Sequence, residues 1–236
     1  MGSTVRIGLL SPNFRESRLG EVRAILPREF VVSGFGYPVP KYTETEFARS
    51  ERGFWSALDA VAKERPECLV ITGELFLSRV THGSDQSFLA RVREQVECPV
   101  ITMTRAVADA FDALEIRRIA VVSPFPAEQT ARHVEFLRAS GTEVVAHTSL
   151  GYRTSDEIWK LPPDSGVLAL QALPAVARAA DGFYLPCNLW RVTKKLEELE
   201  RTYGKPIIAN TPAWIRAVLK ELGGTGSITG YGRLLS

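Results

Sequence analysis

Apolar residues along the chain alternate between two rhythms, short unbroken runs rich in β-preferring residues and longer stretches in which apolar positions recur every three or four residues. The short runs predict strands over 5–10, 30–33, 68–72, 99–103, 118–123, 143–147, 183–185 and 206–208. Helical spacing covers 17–26, 43–64, 85–96, 105–114, 127–140, 193–203 and 212–222, with a helical turn over 157–161. A further helix is expected between 163 and 180, interrupted at Pro174, which has no backbone N–H to continue it. Local signals set several ends. Thr43 and Glu46 have capping-box spacing, Gly141 stands where a helix C-terminus wants a left-handed residue, and Thr211 before Pro212 reads as an N-cap. Residues 34–38, with two glycines and a proline, read as a turn-rich loop. Residues 73–78 read as a loop too apolar for a solvated turn, one that packs over something. The glycine-rich 223–230 reads as flexible, whereas 231–235 has side chains to bury. Strands alternating with helices imply parallel sheets. Eight strands fit either one large doubly wound sheet or two four-stranded sheets face to face, and the pattern alone does not choose.

Composition narrows the partners more than the fold. The chain has 236 residues, 45% hydrophobic and 24% charged, enough to bury one large core or two modest ones. A net charge of +2, with both signs mixed along the sequence, gives no basic stripe, so nucleic acid is excluded as an expected partner. No apolar run approaches a membrane span, and residues 1–6 carry neither a signal-peptide core nor a myristoylation signal, so a soluble, cytoplasmic protein is expected. Cys68, Cys98 and Cys187 are too few for a disulfide framework and are expected to be reduced. His82, His133 and His147 lack metal-ligand spacing, so no metal site is expected.

Candidate chemistry concentrates in the run from Asp181 through Leu185 and Pro186 to Cys187, Asn188 and Leu189. The C-terminal end of a parallel strand is where open α/β sheets place ligands. A helix starting just after Cys187 would aim backbone N–H groups at the sulfur and lower its pKa. The competing reading is an inert buried thiol, the commoner fate of a free cysteine. Cys68 and Cys98 read as core, which makes Cys187 the thiol expected to alkylate first. Trp159, Trp190 and Trp214 read as packing residues.

Several stretches resemble the aspartate/glutamate racemase superfamily, in particular its arylmalonate decarboxylase and maleate cis-trans isomerase branch. They are 8–12, 99–103, 114–120, 149–151, 181–187, 203–206 and the tail 230–234, in that order over nearly the whole chain. The resemblance implies two Rossmann-like α/β lobes, each with a four-stranded parallel sheet flanked by helices. They would be related by a pseudo-twofold axis, with the active site between them and no cofactor. It divides the chain into a first lobe of 1–113 and 209–236 and a second lobe of 114–208. Family members act on a carbon next to a carboxylate, so a small carboxylate or dicarboxylate-like substrate is implied, and a homo-oligomer is compatible with it. Racemases and isomerases bring two cysteines to the substrate, whereas the decarboxylase keeps only that of the second lobe. Cys187 matches that cysteine and Gly73 the vacant first-lobe position, which excludes a two-thiol mechanism.

Departures from the decarboxylase matter as much. Its Gly-Thr-Ser loop is Gly73-Glu74-Leu75 here, its tyrosine after the fifth strand is Phe125, and Asn188-Leu189 follow the cysteine. Pro12 and Asn13 end the first strand, where the isomerase uses an asparagine on a carboxylate, and Ser123 ends the fifth. The expected substrate contacts are therefore Pro12, Asn13, Gly73, Leu75, Ser123, Phe125, Asn188 and Leu189. The amides of Asn188 and Leu189 are candidate oxyanion donors, and Cys187 and Glu74 are the candidate acid/base groups. Three functions follow: a cofactor-independent lyase protonating an enediolate from Cys187, a racemase or cis-trans isomerase pairing Cys187 with Glu74, or a non-catalytic small-molecule binder.

Overall fold

The structure, a computed structural model, describes residues 4–81, 87–224 and 227–236. Its strands are β1 (Val5–Pro12), β2 (Phe30–Tyr37), β3 (Cys68–Ile71), β4 (Val100–Thr102), β5 (Arg118–Ser123), β6 (Glu143–Ser149), β7 (Gly182–Leu185) and β8 (Ile207–Ala209). The helices α1 (Leu19–Ile25), α2 (Glu44–Lys63), α3 (Glu74–Val80), α4 (Ser87–Arg93) and α5 (Met103–Ala113) precede β5. They are followed by α6 (Ala127–Ala139), α7 (Ser155–Trp159), α8 (Ser165–Gln171), α9 (Leu196–Tyr203) and α10 (Asn210–Glu221). The strands form two four-stranded sheets, β2-β1-β3-β4 and β6-β5-β7-β8, parallel throughout and ordered alike. Two smaller sheets are therefore built rather than one large one. β3 and β7, each flanked by strands and covered by helices, are buried at every position, as expected for unbroken apolar runs in parallel sheets. After β8 the chain returns to the first sheet, where α10 packs on α5, β3 and β4. The two halves also meet beside α7, where Tyr42 N–H donates to Arg153 O over 3.1 Å and Lys41 bridges Thr154.

Several expectations are corrected. Residues 34–38 are not a loop, because β2 continues to Tyr37 in register with β1. Its glycines serve packing: a Cβ on Gly34 would fall 1.9 Å from Phe14 Cζ. The apolar stretch after β3 is helix α3, started by the left-handed Gly73 at φ 97°, whose carbonyl accepts from the Phe76 and Leu77 amides. No helix follows Cys187 directly; a turn leads to a short 3-10 segment at Thr193–Lys195 and only then to α9. Thr211 lies inside α10 and does not cap it, since Ala209 is the N-cap and makes no side-chain bond. Pro174 divides its region into α8 and a 3-10 segment at Ala175–Ala179. His82, the start of the helix expected at 85–96 and part of the tail 223–230 lie outside the described residues. Leu234 and Leu235 are buried, as the apolar end of the tail implied.

Candidate active site

Between the C-terminal ends of β1, β3 and β7 lies a cavity of about 420 Å³, open solvent at its mouth included. Ser11, Pro12, Asn13, Gly73, Glu74 and Leu75 form its first-sheet wall, and Phe125, Cys187, Asn188 and Leu189 its second-sheet wall. Nine of the ten residues expected at a site thus line one cavity; Ser123 does not. Its hydroxyl accepts from Thr130 Oγ1 at 2.8 Å and from the Phe125 amide at 3.2 Å, so it shapes the loop carrying Phe125. Val39, Tyr42, Phe47 and Phe76 complete a largely apolar lining that the sequence reading missed.

Cys187 is the second residue beyond β7 and adopts φ 90°, a left-handed conformation unusual for a residue with a Cβ. Such strain is held only where the surroundings over-determine it, and sites of chemistry are where it collects. The residue is 8% exposed. Burial, then the nearby Glu74 charge, pushes its pKa up to about 12, opposed by the Leu189 and Trp190 amides and the Arg18 charge. The sequence-based expectation of a lowered pKa is overturned, because the helix that would have supplied a dipole is replaced by a turn and the thiol is buried. Cys187 is therefore a neutral thiol at physiological pH, able to donate a proton but poor as a nucleophile.

Glu74, the first residue of α3, is buried, so a solvent-facing role is ruled out. Its Oε1 accepts from the Cys187 amide at 3.1 Å, from Tyr184 Oη at 3.1 Å and from Asn210 Nδ2. Tyr184 places its single proton between Glu74 and Asn210 Oδ1, 3.0 Å away. Tyr184 and Asn210 were not expected at the site, and both end up there because β7 and the start of α10 converge on α3. Asn13, at φ 53°, uses both ends of its amide on Val39: Nδ2 donates to the carbonyl at 2.6 Å and Oδ1 accepts from the amide at 2.8 Å. It lines the cavity chiefly as the brace that holds Val39 there. Gly73 leaves room for nothing larger, since a Cβ would lie 2.3 Å from Pro12 Cγ and 2.9 Å from Tyr37 Oη. Asn188 Oδ1 is buried without a partner. Among the described residues no cluster of His, Cys, Asp or Glu is disposed to hold a metal ion. No helix among them is long and apolar enough to cross a membrane.

The same arrangement of sheets is found in solved structures. The chain superposes on Nocardia farcinica maleate cis-trans isomerase, solved with a covalently bound succinylcysteine intermediate, with a TM-score of 0.91. Identity is 20%, over 99% of this chain and 98% of that one. Arylmalonate decarboxylase superposes with a TM-score of 0.74 at 23% identity, over 98% of both chains. In sequence, the chain is 30% identical to Bordetella bronchiseptica arylmalonate decarboxylase over 146 residues, 61% of this chain and 60% of that protein. It is 27% identical to a Pseudomonas putida maleate isomerase over 143 residues, 58% of this chain and 55% of that protein. The chain thus matches somewhat over half the length of these curated relatives. The family model described as arylmalonate decarboxylase matches residues 79–235, more than half of the chain and all of the second sheet with its strand-end thiol. By that match, the chain belongs to the arylmalonate decarboxylase family.

Proposed function

We propose that this protein is a cofactor-independent lyase that protonates a carbanion next to a carboxylate from the single thiol of Cys187. The observation that carries the reading is a buried, neutral thiol at the end of β7, across the cavity from a glycine that admits no side chain. In the proposed reaction the bond between the α-carbon and one carboxylate of a malonate-type acid breaks, and its electron pair stays on the α-carbon as an enediolate. CO2 departs, the Cys187 S–H proton moves to the α-carbon, and the thiolate left behind is reprotonated from water. The lining of Val39, Tyr42, Phe47, Leu75, Phe76 and Phe125 favours this step, because a carboxylate pressed against apolar walls gains by leaving as neutral CO2. Glu74 in this reading is a positioning residue. Its Oε1 fixes the Cys187 amide, and its charge helps keep the thiol protonated.

One observation favours a second reaction. Glu74 lines the same cavity, so α-proton exchange with Glu74 and Cys187 as a pair remains chemically open, as racemisation or isomerisation would require. The test is to follow CO2 release and α-deuterium incorporation from a panel of substituted malonates and monocarboxylates in D2O. The lyase reading expects CO2 release with one solvent deuteron per turnover, abolished in Cys187→Ala. Exchange into monocarboxylates without CO2 release would support the paired reaction instead, and full activity in Cys187→Ala would sink both.

A further inference from the structure

A second and larger space, of about 1260 Å³ with open solvent included, lies between α5 of the first half and α6 of the second. Glu74 is the one described residue that lines both it and the reaction cavity. The buried Glu74, Tyr184 and His133 form its inner end, Phe111 and Phe136 give it aromatic walls, and the exposed Arg93 and Arg105 stand at its rim. Arg105 pairs with Asp109 at 2.8 Å, whereas Arg93 meets no carboxylate among the described residues. The polar groups of the inner end are not equally free. Tyr184 has its one proton between Glu74 and Asn210, at 3.1 and 3.0 Å, while His133 Nδ1, edge-on to the Tyr184 ring, is buried without a partner. Burial holds His133 below the usual imidazole range, so the ring is neutral at physiological pH. Leaving a buried nitrogen unpaired is costly, and a hydroxyl, both donor and acceptor, satisfies it in either tautomer. The Glu74 carboxylate opposes an anion at that end, whereas the free Arg93 guanidinium favours one at the rim.

We infer that this space is a second small-molecule site, distinct from the reaction cavity, for a hydroxylated aromatic monocarboxylate. The hydroxyl meets His133 Nδ1, the ring packs against Phe111 and Phe136, and the carboxylate pairs with Arg93 at the rim. Nothing in this recognition passes through Cys187, so it stands apart from the lyase reading.

The test is calorimetric binding of 4-hydroxybenzoate, benzoate and phenol to the wild-type protein, Arg93→Gln, His133→Phe and Cys187→Ala. Benzoate lacks the hydroxyl and phenol the carboxylate, so 4-hydroxybenzoate is expected to bind at least about tenfold more tightly than either. In Arg93→Gln its advantage over phenol falls to within about threefold, while its advantage over benzoate persists. His133→Phe reverses that pattern, losing the advantage over benzoate and keeping the one over phenol. Cys187→Ala, altered in the reaction cavity alone, keeps both. His133 is buried, so His133→Phe counts only if it melts within a few degrees of wild type, whereas the exposed Arg93 carries the test in either case. Absent binding, or equal wild-type affinity for 4-hydroxybenzoate and either fragment, overturns the inference. So does an advantage over phenol unchanged in Arg93→Gln, or either advantage lost in Cys187→Ala, which would put the ligand in the reaction cavity.

Discussion

Cys187 adopts φ 90° in the turn that follows β7, and two measurements follow from that conformation and the burial of its thiol. Glycine adopts this conformation without strain, so Cys187→Gly is expected to be more stable than Cys187→Ala by about 1 kcal/mol, despite the smaller side chain. Equal melting temperatures would mean that the turn relaxes once the thiol is gone. The second concerns pH. The proposed proton donor is the thiol, whose pKa is pushed up to about 12, so kcat is expected to be flat from roughly pH 7 to 10 and to fall only as the thiol ionises. A descending limb centred near pH 8 would show an ordinary thiol and contradict the burial argument. The same reasoning reverses the order of alkylation expected from sequence. Cys98 is half-buried, whereas Cys187 and Cys68 are buried with pKa values near 12, so iodoacetamide at mildly alkaline pH should label Cys98 first. What sequence could not convey here was burial: position at a strand end was legible, but how far the fold covers Cys187 is a property of packing.

At the scale of elements, the alternation of strands and helices could be read because each strand is a continuous apolar run and most helices carry an apolar stripe. It failed at α3, where Glu74, Leu75, Phe76 and Leu77 are all buried. A first turn buried on every side shows no polar face, and seven residues leave too little of the rest to reveal a period. It failed again at the end of β2, where glycines that look like turn formers make space for the Phe14 ring. The partners of Glu74 were out of reach for a different reason, since Tyr184 and Asn210 lie 110 and 136 residues along the chain. Gly73 links the two levels, turning β3 into α3 at φ 97° with Pro12 and Tyr37 against it. Gly73→Ala is expected to lose about 1–3 kcal/mol and to disturb the cavity wall at Pro12, which denaturant unfolding would measure. An unchanged midpoint would show that Pro12 yields freely.

For the whole molecule, Glu74 reaches from the first sheet to Cys187 and Tyr184 of the second and to Asn210 at the return of the chain, making one carboxylate a clasp between the halves. Glu74→Ala would strand those buried donors and is expected to destabilise by about 3 kcal/mol. Glu74→Gln retains an acceptor and should unfold nearly as wild type. Because the Glu74 charge raises the Cys187 pKa, Glu74→Gln should move the alkaline fall in kcat to lower pH; no movement would place the charge too far from the sulfur to matter. The repeated sheet order adds a last point. Gly73 is the second residue beyond β3 and Cys187 the second beyond β7, with φ 97° and 90°, so the two halves present the same backbone corner to the cavity from opposite sides. Only one corner bears a proton. A planar intermediate held between them can be protonated from one face alone, so a prochiral malonate should yield product of a single hand. Chiral chromatography of the product would reveal this, and a racemic outcome would mean that the carbanion turns over or escapes before the proton arrives.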